Sequence, residues 1–167
     1  VAARFSAWGH VWEFADEMGY QQTRTMSAAS SGGLIGVGAG DGWLKTIPAS
    51  ETDLVFGLIT EEWGLIIAVL AIFAIVTLSL FAIRSIWGGR STFYTIAACS
   101  AMSLFIFQTM LNVFGSVDLF PLTGVTFPFL SNGGTSMVAS WGLLAFLKAS
   151  DTRVSASIAV SNEEAIS

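Results

Sequence analysis

The chain of 167 residues is 53% hydrophobic, 13% aromatic and only 11% charged, with 13 Phe and 6 Trp; this balance excludes an ordinary soluble domain and reads as an integral membrane protein. Seven Lys and Arg against twelve Asp and Glu give a formal charge of −5, which argues against nucleic acid as a partner, because phosphate binding needs clustered basic residues. A single cysteine, Cys99, supports neither a disulfide framework nor a cysteine-ligated metal, and its apolar surroundings assign it to packing.

The first residues, VAARFSAWGHVWEFADEMGYQQ, contain no Met and neither the basic nor the apolar region of a signal peptide. A spanning protein that opens on a long polar, Gly-rich stretch with no export signal reads as the C-terminal part of a longer chain. His10 has no second ligand or nucleophile spaced near it, so neither a metal site nor a catalytic triad is expected there. Trp8 and Trp12, four positions apart, suggest an interfacial face. Residues 30–42, SSGGLIGVGAGDG, hold six glycines but fit neither a GxxxxGK(S/T) loop nor a dinucleotide turn. A tight irregular loop packed closely on the membrane region is expected.

From Leu65 to Ile83 run nineteen residues without a charge, which at ~1.5 Å per residue matches the ~30 Å of a hydrocarbon core. A second apolar run goes from about Phe93 to Phe114 and carries Gln108 and Asn112. The third, from about Val125 to Leu147, follows Pro121 and Pro128 and is interrupted near its start by Ser131, Asn132, Gly133 and Gly134. The tail 155–167 is small and polar and is expected to be disordered. Three regions result: an extracytoplasmic segment over 1–52, a three-helix transmembrane region over 53–150 and a cytoplasmic tail over 151–167. Arg84 and Arg90 between the first two spans, with Lys148 and Arg153 after the third, place those ends in the cytoplasm. The segment before residue 65 and the loop around Asp118 then lie outside.

Two constellations at the outer side could carry chemistry. In TDLVFGLITEEWG, residues 52–64, the carboxylates of Asp53, Glu61 and Glu62 stand at the mouth of the first span. Eight or nine positions on a 3.6-residue helix separate Asp53 from Glu61 and Glu62 by ~80–180°, so the three do not form one stripe. Either the helix macrodipole draws them there, or an ionisable group near the hydrocarbon boundary marks a site. The second constellation, LFPLTGVTFPFLSNGGTSM over 119–137, has two prolines and three glycines, a poor composition for a plain span. Broken backbone at membrane depth is tolerated where it is buried in protein or lines a cavity. Two readings stay open: a simple re-entrant turn with Ser131 or Asn132 as helix N-cap, or amides and hydroxyls facing a substrate groove. Gly133 and Gly134 are expected to permit close backbone approach.

In their order and spacing, GYQQTRTMSAASSGGLIGVGAG, ETDLVFGLITEEWGL and LFPLTGVTFPFLSNGGTSM resemble the SEDS family of bacterial cell-wall synthesis, which includes FtsW, RodA and SpoVE. The likeness extends over roughly residues 18–150. It implies an all-α integral membrane protein of about ten helices, of which this fragment supplies a large Gly-rich outer loop and the last three. It also implies polymerisation of lipid II into glycan strands at the outer face of the cytoplasmic membrane, in division, elongation or sporulation. A class B penicillin-binding protein is the implied partner, and membrane lipid surrounds both. The fragment alone, without the helices that complete the cavity, is expected to be inactive.

By the same resemblance Asp53 matches an essential aspartate. A carboxylate suits removal of a proton from a sugar hydroxyl that attacks an anomeric carbon. The leaving lipid pyrophosphate needs positive charge, for which Arg24 and Lys45 are local candidates, as is a divalent cation such as Mg or Mn. Ser131, Asn132, Gly133 and Gly134 are expected to bind substrate, and Glu61 and Glu62 to orient the top of the helix. No protein metal site is expected. Arg24 stands where many members carry Gln, and Asn132 where Tyr is commoner, which marks a divergent branch. A lipid II flippase and a non-catalytic scaffold are the competing functions. A transporter places its essential polar groups near the midplane, whereas these carboxylates gather at the outer edge, and a scaffold leaves Asp53 dispensable.

Overall fold

The computed structural model describes residues 8–17, 19–87 and 92–149, with backbone only at 85–87. The expectations placed on Arg90, on Arg153 and on the tail lie outside the described residues. Among the described residues four α-helices follow one another: α1 (Tyr20–Gly32), α2 (Val55–Trp87), α3 (Thr92–Ser116) and α4 (134–149), with a 3-10 turn at Leu44–Thr46 between the first two. Among the described residues there is no strand.

Helices α2 and α3 are long and apolar enough to cross a membrane, over Val55–Arg84 and Thr92–Ser116. Only 17% and 33% of their most apolar windows are buried within the chain, so these are not the core helices of a soluble protein. Phe73, Phe81, Phe93 and Phe107 project from them exposed, and such surfaces call for lipid or for neighbouring helices. The protein is a helical membrane protein. Between α2 and α3 the contact is made by small residues and a few large ones, Ala68 and Ile75 against Ala98, Ala101, Met102 and Phe105. In lipid such an interface is held by close packing rather than by exclusion of water. Hydroxyls along the spans stay satisfied internally: Thr77, Ser79 and Thr109 donate to the carbonyls of Phe73, Ile75 and Phe105 at 2.7, 2.8 and 2.8 Å.

Helix α1 stands in what reads from sequence as a loop. Its buried residues are Gln22, Thr23, Thr25, Ala28 and Gly32, all small or polar, so no hydrophobic period announces it. Small residues are what the contact with α2 requires. A Cβ added at Gly57 would lie 2.2 Å from Thr25 Cγ2, and one at Gly32 would lie 2.1 Å from the Thr60 carbonyl oxygen. Beside this crossing, Leu44, Ile47, Leu54 and Leu122 form a second apolar cluster around Ala28.

At Gly64 the backbone leaves helical geometry, with φ 87° and ψ 165°, and divides α2 into a short mouth segment and a long span. Such a break orphans backbone groups, and the Gly-rich loop after α1 takes them up. Val37 and Gly38 donate their N–H groups to the carbonyls of Glu61 and Glu62 at 2.9 and 3.1 Å, and Leu65 donates to Gly33 at 3.0 Å. The close packing expected of SSGGLIGVGAGDG takes this form: its backbone is threaded against the opened turn of α2. Gly36, at φ 90°, tolerates no side chain there, because a Cβ would lie 2.3 Å from the Glu62 carbonyl oxygen.

The third apolar stretch turns helical only at residue 134, and 121–127 run without regular structure into a turn at 128–130. Pro121 and Pro128 donate no backbone hydrogen bond, and Ser131 and Asn132 are engaged elsewhere, as described next.

Candidate functional site at the mouth of the first span

Asp53 lies two residues before the first residue of α2. Leu54 is the N-cap, its carbonyl accepting the first helical bond from Leu58 at 3.0 Å, so the carbonyls of residues 51–53 are not used by the helix. Each is claimed from another element. The Asn132 N–H donates to the Glu51 carbonyl at 2.8 Å, the Ser131 hydroxyl to the Thr52 carbonyl at 2.7 Å, and the Asn112 amide to the Asp53 carbonyl at 2.9 Å. Asp53 N–H in turn donates to the Ala49 carbonyl at 2.9 Å. The backbone of Asp53 is therefore held at both its polar groups. Its side chain is half-buried, and among the described residues the carboxylate has no hydrogen-bond or ion-pair partner.

The structure brings together two constellations that lie about eighty positions apart. Ser131 is 2% exposed, donates to Thr52 and accepts the Phe127 N–H at 2.7 Å. Asn132 is exposed, and its side-chain amide donates to the Glu51 carboxylate at 2.8 Å. Neither side chain caps α4, whose first turn is closed by Met137 N–H on the Gly133 carbonyl at 2.8 Å. Nor do both glycines mark a close approach. A Cβ at Gly134 would meet nothing within 4 Å, and one at Gly133 makes only ordinary contacts with Ser136 and Thr126. Left-handed backbone appears instead at Ala49 and Phe129, each at φ 63°, one in each of the segments that meet. Non-glycine residues hold such geometry only where surrounding contacts over-determine it.

Glu61 is 1% exposed. Its two carboxylate oxygens accept the N–H groups of Trp43 and Leu44, both at 3.0 Å, which satisfies the start of the 3-10 turn. Two charge-assisted bonds justify burying this carboxylate. Glu62 is half-buried, and its backbone carbonyl receives Gly38 at the kink. Arg24 is exposed on α1 with its guanidinium 5.3 Å from the Tyr20 ring centre. Lys45 is also exposed and donates to the Gly40 carbonyl.

Two side chains outside the expected set help build the mouth. Asn112, 2% exposed, donates to the carbonyls of Asp53 and Val125 at 2.9 and 2.7 Å. Gln22, 5% exposed, donates to the Gly115 carbonyl at 2.8 Å and reaches Asp118 Oδ1 at 3.2 Å, tying α1 to the end of α3. An amide inside an apolar run was the available signal for Asn112; its partners, distant in sequence, were not. Next to the broken segment, a cavity of about 310 Å³ is lined by Gln108, Thr126, Ser136, Ser140 and apolar neighbours. Among the described residues no three His, Cys, Asp or Glu side chains converge as a metal site.

Residues 2–155 match the family described as cell cycle protein, FtsW/RodA/SpoVE. The chain is 34% identical over 149 residues to the peptidoglycan glycosyltransferase RodA of Mycobacterium bovis, covering 88% of this chain and 31% of the relative. It is 35% identical over 163 residues to the probable peptidoglycan glycosyltransferase FtsW of Bacillus subtilis, covering 90% and 40%. To stage V sporulation protein E of the same bacterium it is 32% identical over 136 residues, covering 80% and 37%. The chain thus spans about a third of the length of the curated relatives it matches. A match over nearly its whole length, joined to two span-length helices, establishes that the chain belongs to the FtsW/RodA/SpoVE family.

Proposed function

We propose that this chain supplies the outer catalytic mouth of a peptidoglycan glycosyltransferase that polymerises lipid II at the outer face of the bacterial cytoplasmic membrane. The observation that carries the reading is the Asp53 carboxylate, uncommitted on a backbone segment that is fixed at residues 51, 52 and 53 by three separate donors. The names of the relatives, peptidoglycan glycosyltransferase in RodA and FtsW, supply the reaction class. The full protein on this reading has about ten spans, α4 forming part of the last, and works with a class B penicillin-binding protein that cross-links the product.

A hydroxyl of one sugar attacks the anomeric carbon of another. Asp53 accepts the hydroxyl proton as the new C–O bond forms, and the lipid pyrophosphate departs with the electron pair of the bond that breaks. A fixed backbone matters because a general base acts only within about 3 Å of the proton it takes. Arg24 and Lys45 would meet the pyrophosphate, and a divalent cation such as Mg or Mn, if bound there, would supply further positive charge to the leaving group. Asn132, Gly133 and Gly134 form the wall that faces the sugar, while the Ser131 hydroxyl is used inside the protein to hold that wall to Thr52. Glu61 and Glu62 orient the mouth.

The test is Asp53→Asn in the full-length parent with its penicillin-binding protein. Glycan polymerisation falls by at least ~10²-fold, the usual cost of losing a general base, at unchanged expression, and lipid II flipping in liposomes is unaffected. Polymerisation near the parent rate overturns the catalytic assignment. Loss of flipping alone transfers the site to a transporter.

A further inference from the structure

The buried Asn112 amide binds nothing but backbone, and one of the two carbonyls it holds belongs to Asp53. Its Nδ2 group has two N–H bonds and uses both, on the Asp53 carbonyl at 2.9 Å and on the Val125 carbonyl at 2.7 Å. Its Oδ1 is buried and has no partner among the described residues. That asymmetry fixes the orientation: turning the amide over would set Oδ1 against two carbonyl oxygens and lose both bonds. Among the described residues the polar contacts of this side chain are therefore its two donated bonds. Those donors join three elements, since Asn112 sits on α3, Asp53 at the mouth of α2 and Val125 in the irregular segment leading to the SNGG turn.

From these contacts we propose that Asn112 is a positioning residue for glycosyl transfer, setting the Asp53 carboxylate by holding the peptide that follows it. The proposal rests on the reading of Asp53 as the base. Asp53 N–H is tied to Ala49 on the near side, so Asn112 supplies the restraint on the far side, and no other described donor takes that carbonyl. Freed of it, the Asp53–Leu54 peptide can rotate ahead of the N-cap and carry the carboxylate off its target. Misplacement of a base lowers turnover, while substrate affinity, set by the wall and by the cationic side chains, is retained.

The experiment is a double-mutant cycle in the full-length parent with its penicillin-binding protein. It reads initial rates of lipid II polymerisation over a range of lipid II concentrations, normalised to folded protein. Asn112→Leu, close in volume and without donors, lowers kcat at least ~10-fold with KM within about threefold, and lowers the residual rate of Asp53→Asn no further. Asn112→Ser, which retains one donor, is used where the Leu variant does not fold, and obeys the same non-additivity. Equal losses from Asn112 replacement in the parent and in the Asp53→Asn variant overturn the proposal, as does a parent-like kcat. Failure of both replacements to fold does so too, because the role is then structural. Should Asp53→Asn itself polymerise at the parent rate, the reading of Asp53 fails and the proposal falls with it, whereas a slow Asp53→Asn joined to additive losses in the cycle overturns the proposal alone.

Discussion

Individual carboxylates at the mouth have different work because their surroundings differ. Asp53 stands on a clamped backbone with its oxygens uncommitted, whereas both oxygens of Glu61 are occupied by Trp43 and Leu44 N–H groups. Glu61→Gln replaces one accepting oxygen by an NH2 group that faces a backbone donor. One buried N–H is left unpaired, at about 1–3 kcal/mol. Thermal unfolding of the purified parent therefore shifts to lower temperature, while polymerisation per folded molecule stays within about threefold of the parent. Loss of catalysis without loss of stability would give Glu61 a place in the chemistry. Gly134 makes a second case at this scale. With open space where a Cβ would stand, Gly134→Ala leaves membrane abundance unchanged, a result read by immunoblot of membrane fractions, and a sharp fall would show that the turn is more closely covered than its geometry indicates. The three carboxylates were legible as a group because ionisable residues at a membrane boundary are conspicuous, and Asp53 was singled out among them only by the motif resemblance. Asn112 was not legible, because its value lies in two carbonyls whose positions no local pattern encodes.

Among the elements, the break in α2 at Gly64 and the glycine loop after α1 are one device. The break exposes carbonyls at 61 and 62 and an N–H at 65, and the loop supplies their partners. Each half supplies backbone partners that the other lacks, and a backbone group left unpaired out of reach of water is costly. Gly36→Ala sets a methyl group 2.3 Å from the Glu62 carbonyl oxygen at a φ of 90°. The expected result is a marked loss of folded protein in membranes, with a fall in thermal stability of any fraction that is purified. Normal abundance and stability would mean that loop and helix are not engaged in this way. Helix α1 illustrates why elements escape a reading by hydrophobic period: its inward face is Gln, Thr, Ala and Gly, chosen for closeness to Gly57 and Thr60 rather than for apolarity. The start of α4 escaped for a related reason. Apolar residues continue through 125–130, but the chain there is committed to the Asp53 segment and enters the helix only at 134.

For the whole molecule, the orientation proposed from the basic residues places the mouth outside the cell. In a parent freed of its native cysteines, a cysteine at the exposed Ala39 is labelled by a membrane-impermeant thiol reagent in intact cells, and one at the exposed Ala149 is labelled only after permeabilisation. The reverse pattern would put Asp53 on the cytoplasmic side and overturn that orientation. By itself the sequence determined the membrane character, two spans, the motif resemblance and Asp53 as candidate, because hydropathy, charge bias and short motifs are properties of contiguous residues. Only the tertiary structure decided that residues 51–53 are held by Asn112, Ser131 and Asn132, that Glu61 is consumed in the scaffold, and that a glycine loop completes a broken helix. Each of these depends on backbone groups meeting partners across 17 to 81 positions, and a backbone amide or carbonyl carries no side-chain signature by which its distant partner could be read.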